Sequence, residues 1–166
     1  LARWHHPRRG SVSPGAFLPA AEQAGLMDEL GRAVMRRAVS QAAEWHRDGI
    51  VFGRLAMNVS GAEINEADFV PFILDLLDGY NLPTRLVSLE IVESVILDDQ
   101  NHRVPEKLRE LRRAGIHIEL DDFGTGYASL THINPDEIDR LKIDRRFVQN
   151  IDAATGNARI VQAITQ

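Results

Sequence analysis

The sequence predicts an α/β fold, a TIM-like (β/α) barrel, and three observations carry it. Short strand-like runs alternate with amphipathic helical runs, the pattern of βαβ units and a parallel sheet. Each strand-like run has one apolar and one polar parity. The polar parity grows more polar toward the C-terminal end of the runs, where barrels build their active sites. A doubly wound sheet buries both faces and would read as continuous apolar runs.

The elements follow in order. Leu1 to Gly10 is locally basic, with Arg3, His5, His6, Arg8 and Arg9 and no acid. Ser13-Pro14 suits the start of a short helix, which Gly25 interrupts. Met27, Leu30, Val34, Ala38, Gln41 and Trp45 recur at helical spacing up to a stop at Asp48-Gly49. Phe69, Ile73, Leu76 and Tyr80 mark a second amphipathic helix, and Leu108, Leu111 and Ala114 a third that Gly115 ends. A further helix begins near Ala158. Strand-like runs occupy 54–60, 87–93, 116–121 and 138–144. Their apolar parity reads Leu55, Met57, Val59; Val87, Leu89, Ile91; Ile116, Ile118, Leu120; Leu141, Ile143. The other parity reads Ala56, Asn58, Ser60; Ser88, Glu90; His117, Glu119, Asp121; Arg140, Lys142, Asp144.

Composition narrows the chemistry. The 166 residues carry 19 Lys plus Arg against 24 Asp plus Glu, a formal charge of −5, and are 44% hydrophobic. That balance describes a globular domain and excludes disordered, collagen-like and coiled-coil chains. No apolar run reaches the ~18–20 residues of a membrane span. The absence of cysteine excludes disulfides, zinc-thiolate sites and thiol nucleophiles. The acidic total argues against a polynucleotide partner, though a small anion can still find a basic pocket. A cytoplasmic location is the expectation.

Asn58, Glu90 and Asp121 share the polar parity near the ends of three successive strands, and Asp122 follows directly. One amide and three carboxylates are hard oxygen donors suited to Mg²⁺ or Mn²⁺. Clustered carboxylates repel one another unless a cation or proton intervenes. The plainer alternative is that these acids cap strands and solvate a rim. Lys142 has the same parity on the next strand and either meets a phosphate or water there or pairs with Glu119 or Asp121. Arg3 is a candidate phosphate clamp, or a solvated surface arginine. The segment from Asp122 to Asp136 reads as a long glycine-punctuated loop, a length that is usually functional. The six histidines show no HxxxH or HxH spacing, and GxSxG is absent. His117 reads as a packed interior residue, and Trp4 and Trp45 as core.

Taken together these residues resemble the EAL domain, a (β/α) barrel that hydrolyses the bacterial messenger cyclic di-GMP. The matching blocks are Leu1-Ala2-Arg3-Trp4 with His6-Pro7 and Gly10, Phe17-Leu18-Pro19-Ala20-Ala21-Glu22 with Gly25-Leu26, Asn58-Val59-Ser60, and Glu90-Ile91-Val92-Glu93. Asp121-Asp122-Phe123-Gly124-Thr125-Gly126-Tyr127-Ala128-Ser129-Leu130 and Leu141-Lys142-Ile143-Asp144-Arg145-Arg146-Phe147-Val148 complete them.

The resemblance implies that residues 1–166 are part of a single EAL domain and assigns roles. Asn58, Glu90 and Asp121 would be metal ligands, with Asp122 serving a second Mg²⁺ or Mn²⁺ and facing substrate. Lys142 would sit by the attacking water and scissile phosphate, and Arg3 would hold a substrate phosphate. Leu1 and Pro19 would line the guanine site, with Asn58 also near the substrate. Glu93 would anchor the 123–130 loop, which in the family couples a homodimer to the active site. Val92 and Ala128 stand where the family commonly has Thr and Ser. The family's signature Glu would precede Leu1, and its general-base Glu and a substrate-binding Gln would follow Gln166. With about five of eight strands legible, one of them ending at Leu1, the chain reads as truncated at both ends of a longer protein, one expected to be fused to a sensor or GGDEF domain and open to membrane anchoring outside this span. The implied function is metal-dependent hydrolysis of cyclic di-GMP to linear pGpG. The alternative is a degenerate EAL receptor that binds the dinucleotide without cleaving it.

Overall fold

The computed structural model describes residues 3–97, 103–124 and 137–149. The chain opens with a small antiparallel hairpin, β1 (Trp4–His6) and β2 (Gly10–Val12), turning through Pro7 to Arg9. The basic opening segment is therefore a hairpin, which its composition does not announce. Helix α1 (Pro14–Gln23) has Pro14 in its first turn, where the missing N–H costs nothing, and the Ser13 side chain makes no capping bond. The long α2 (Met27–Arg47) places Asp28 and Glu29 in its first turn and His46 and Arg47 in its last, each favourable to the helix dipole.

Strand β3 (Leu55–Val59) runs into a single-turn helix α3 (Gly61–Asn65), followed by α4 (Phe69–Gly79). A 3₁₀ turn at Thr84–Leu86 leads to β4 (Val87–Val92), which passes directly into α5 (Glu93–Leu97). Then come α6 (Arg103–Arg113), β5 (His117–Phe123), β6 (Arg140–Ile143) and α7 (Arg145–Val148). The predicted helix near Ala158 lies outside the described residues.

The four later strands form one parallel sheet in the order β3-β4-β5-β6, so each strand pairs with its neighbour in sequence. Successive βα units added in one direction are what a (β/α) barrel is made of. The expected runs end one or two residues differently, since Phe123 rather than Asp121 closes β5. The further strand counted at the N-terminal end, the one that Leu1 would close, lies outside the described residues.

The apolar parity is the packed face. Val87, Leu89, Ile91, Ile118 and Leu120 are wholly or almost wholly buried against Val39, Ile73, Leu77, Leu108 and Leu111 from the helices. At about 25 cal/mol per Å² this apolar burial is the main favourable term of the fold. Two tryptophans depart from expectation. Trp4 and Trp45 are both exposed, and they rest edge-on against Phe17 and Phe52 at ring distances of 6.2 and 6.0 Å. His117 is half-buried rather than packed inside, and its Nε2 lies 2.9 Å from a guanidinium nitrogen of Arg54.

Candidate active site

The polar parity forms the other face of the sheet. Register makes Asn58 and Glu90 lateral partners, and Glu90 and Glu119 likewise. Asp121 is level with Val92, one pleat beyond Glu90 and so about 7 Å further along the strand.

The end of β5 is irregular in a way that matters. Leu120 pairs with Leu141 and Phe123 with Ile143, so β5 spends one residue more than β6 over the same stretch. Leu120 and Phe123 are an odd number of residues apart, yet both are buried in the same core. A β-bulge resolves the conflict, with Asp122 in the left-handed region at φ +53°. Asp121 and Asp122 together take the place of one residue between two core positions, and neither is buried. The Asp122 N–H donates to Asp121 Oδ1 at 3.0 Å. Strain of this kind persists where surrounding structure enforces it, typically at functional sites. The loop expected from Asp122 therefore begins two residues later, at Gly124, and 125–136 lies outside the described residues.

Lys142 reaches across from β6. Its Nζ pairs with Glu90 Oε1 and lies 3.3 Å from Glu119 Oε2. Burial alone would lower the ammonium pKa, but Glu90 and then Glu119 outweigh it and hold Lys142 above the ordinary lysine value. Lys142 is therefore a fixed cation at neutral pH. Of its two sequence-expected partners, Glu119 is present, and Glu90 joins it in the place anticipated for Asp121.

Glu93, 3% exposed at the start of α5, accepts a hydrogen bond from the Gly124 N–H at 3.0 Å. Gly124 has φ +94°, and a Cβ there would lie 2.7 Å from the Phe147 ring. Asn58 is held from behind. Two residues later Ser60 caps α3 in a reciprocal capping box, its N–H donating to Glu63 Oε2 at 2.7 Å while the Glu63 N–H donates to Ser60 Oγ at 3.3 Å. Lys107 of α6 donates to the carbonyls of Ile64 and Glu66, both at 2.6 Å. Arg3 immediately precedes β1, Pro19 is exposed within α1, and Leu1 lies outside the described residues.

Beneath these groups the polar face opens into a cavity of about 620 Å³, lined by Arg54, Arg85, Ser88, Glu90, Glu119 and Lys142 among others. Ser88 Oγ is buried there without a hydrogen-bond partner among the described residues. Among the described residues no three His, Cys, Asp or Glu side chains stand together as a ready-made metal cage. The donor set nevertheless fits a hard divalent ion. Asn58 and Glu90 are side by side, the bulge turns two further carboxylates off the core, and all donors are oxygen. Because Glu90 already holds an ammonium, binding a metal there exchanges one cation for another.

The EAL domain profile matches residues 1–166. The chain belongs to the EAL domain family. A Mycobacterium tuberculosis protein is 39% identical over 165 residues, which are 99% of this chain and 26% of that protein. A cyclic di-GMP phosphodiesterase of Pseudomonas aeruginosa is 35% identical over 164 residues, 99% of this chain and 28% of its own length. The EAL chain thus spans about a quarter of these relatives. The solved structure of the PaMucR phosphodiesterase in complex with cyclic di-GMP superposes with a TM-score of 0.85 at 34% identity, covering 98% of this chain and 65% of that one. The α/β class and parallel sheet expected for an EAL domain are present.

Sequence reasoning gives Glu119 no role beyond pairing with Lys142. Its parity is legible, but its place beside Glu90 depends on register between strands, which no single strand encodes.

Proposed function

We propose that this EAL chain, as part of a single EAL domain, serves metal-dependent hydrolysis of cyclic di-GMP to linear pGpG. The supporting observation is that Asn58 and Glu90 pair laterally on the polar face of a parallel sheet, with the Lys142 ammonium on Glu90 and the Asp121-Asp122 bulge one pleat further along. Asn58, Glu90 and Asp121 would hold one Mg²⁺ or Mn²⁺ and Asp122 would help to hold a second. A divalent ion held there would supply positive charge to the oxygens of an in-line displacement.

The residues of the chain do the rest. Lys142, a cation paired with Glu90 and Glu119, would face the water and scissile phosphate and stabilise charge that builds on phosphoryl oxygens. Arg3 would clamp a substrate phosphate, and Leu1 and Pro19 would line the guanine site. Glu93 ties Gly124 to the first turn after β4, two residues from the bulge, and a dimer contact made by the segment 123–130 would be felt there. Water attacks one phosphorus, one P–O ester bond breaks, and the ring opens.

The test is chromatographic. Full-length protein incubated with cyclic di-GMP and Mg²⁺ or Mn²⁺ should yield pGpG, and Glu90→Gln should lower the rate at least ~100-fold. Binding of the dinucleotide by calorimetry without product would identify a receptor instead. Neither product nor binding would sink both readings.

A further inference from the structure

Glu90 and Glu119 are neighbouring carboxylates on adjacent strands, a juxtaposition that is unfavourable on its own. Two cations answer it. Lys142 bridges the pair, and Arg140 Nη1 lies 3.5 Å from Glu119 Oε1. Glu119 is 4% exposed, far more enclosed than the Arg140 it faces. The four groups sum to zero charge. If a divalent ion takes Glu90, Lys142 loses its nearer partner, and the ammonium and the metal repel each other. Among the described residues Glu119 is the other carboxylate that Lys142 already touches.

We propose that Glu119 is a positioning residue that retains the Lys142 ammonium beside the site when Glu90 turns to a metal, so that the two cations occupy adjacent strands together. This rests on the reading of Glu90 and Lys142 as parts of a divalent-metal site. It assigns Glu119 no contact with substrate. Without it, Lys142 rests more heavily on Glu90 and competes with the metal for that carboxylate.

The experiment is a double-mutant cycle on the full-length protein, with Mn²⁺ itself as the probe, followed by electron paramagnetic resonance of free ion. Glu119→Gln should weaken Mn²⁺ binding about 10-fold, in line with other partners of ligand residues. Lys142→Met, which removes the competitor, should bind Mn²⁺ at least as tightly as wild type. In the Lys142→Met background Glu119→Gln should cost no more than about a third of its wild-type effect. Equal losses in both backgrounds would overturn the proposal, because a merely structural carboxylate would act regardless of Lys142. Absence of Mn²⁺ binding by wild type would overturn it as well. Glu119→Asp keeps the charge and should recover part of the affinity, which guards against a Gln variant that fails to fold.

Turnover gives a second readout. Glu119→Gln should lower kcat about 10- to 100-fold with little change in KM for cyclic di-GMP. A coupled Mn²⁺ cycle in a wild type that forms no pGpG would leave this proposal standing while the phosphodiesterase reading fails. Product formation with an uncoupled cycle would do the reverse.

Discussion

Gly124 shows how much can rest on a missing Cβ. Its φ of +94° is a conformation L side chains rarely adopt, its N–H is held by Glu93, and Phe147 closes the space above it. Gly124→Ala therefore combines backbone strain with overlap against a ring. A loss of about 2–3 kcal/mol is expected, read as a lower urea midpoint at unchanged slope. Gly31 is a second case of close approach, without unusual backbone angles. A Cβ there would overlap the Glu63 carboxylate, the same group that completes the capping box after Asn58. One glycine thus lets α2 lie against the turn that fixes the end of β3.

At the scale of elements, α6, β5 and β6 are joined by a single carboxylate. Asp139 receives two Arg112 nitrogens at 2.7 and 3.1 Å, and the Ile118 N–H donates to it at 2.9 Å. Burial pushes the Asp139 carboxyl up, but Arg112 and the Ile118 amide outweigh burial and hold it below the ordinary carboxylate value. A depressed native pKa means stability that is present above the unfolded value of ~3.9 and lost as pH falls through the native value. Asp139→Asn should thus cost about 1 kcal/mol at pH 7, an amount discounted for partial exposure. Its thermal midpoint should converge on that of wild type as pH drops below ~4. A gap that stayed constant with pH would remove the ionic account. The elements themselves were legible wherever a local period existed. Helical spacing marks α2, α4 and α6, and alternation marks the four parallel strands. The single-turn helices α3, α5 and α7 are too short to display a period, and the β1–β2 hairpin has no apolar alternation to reveal it.

At the scale of the whole molecule, the sheet has two unlike faces, and the sequence shows that plainly. Helices cover Leu89, Ile91, Ile118 and Leu120, while Asn58, Glu90, Glu119 and Lys142 share the opposite side. Asn58, Glu90, Asp121 and Lys142 could be named as candidates because parity is a property of each strand alone, whereas Asp122 entered only as the residue after Asp121. Which of them touch could not be read, since pairing depends on register between strands distant in sequence. The exposed tryptophans were misread for a related reason: large aromatic residues signal burial only on average, and Trp4 and Trp45 sit at the margins of the core.

The bulge at the end of β5 has a consequence for how this protein divides stability from activity. A sheet with Leu120 and Phe123 both facing the core would be satisfied by one residue between them, and the chain supplies two. Architecture has no use for the second, and its left-handed backbone is a standing cost of about 1–3 kcal/mol. Deleting Asp122 should therefore shorten the strand to a regular one, leave Phe123 opposite Ile143, and keep the thermal midpoint at or above that of wild type. The same deletion should weaken Mn²⁺ binding and suppress pGpG formation. A protein that melts no earlier but has lost its metal would mark this residue as one the fold carries solely on behalf of the chemistry.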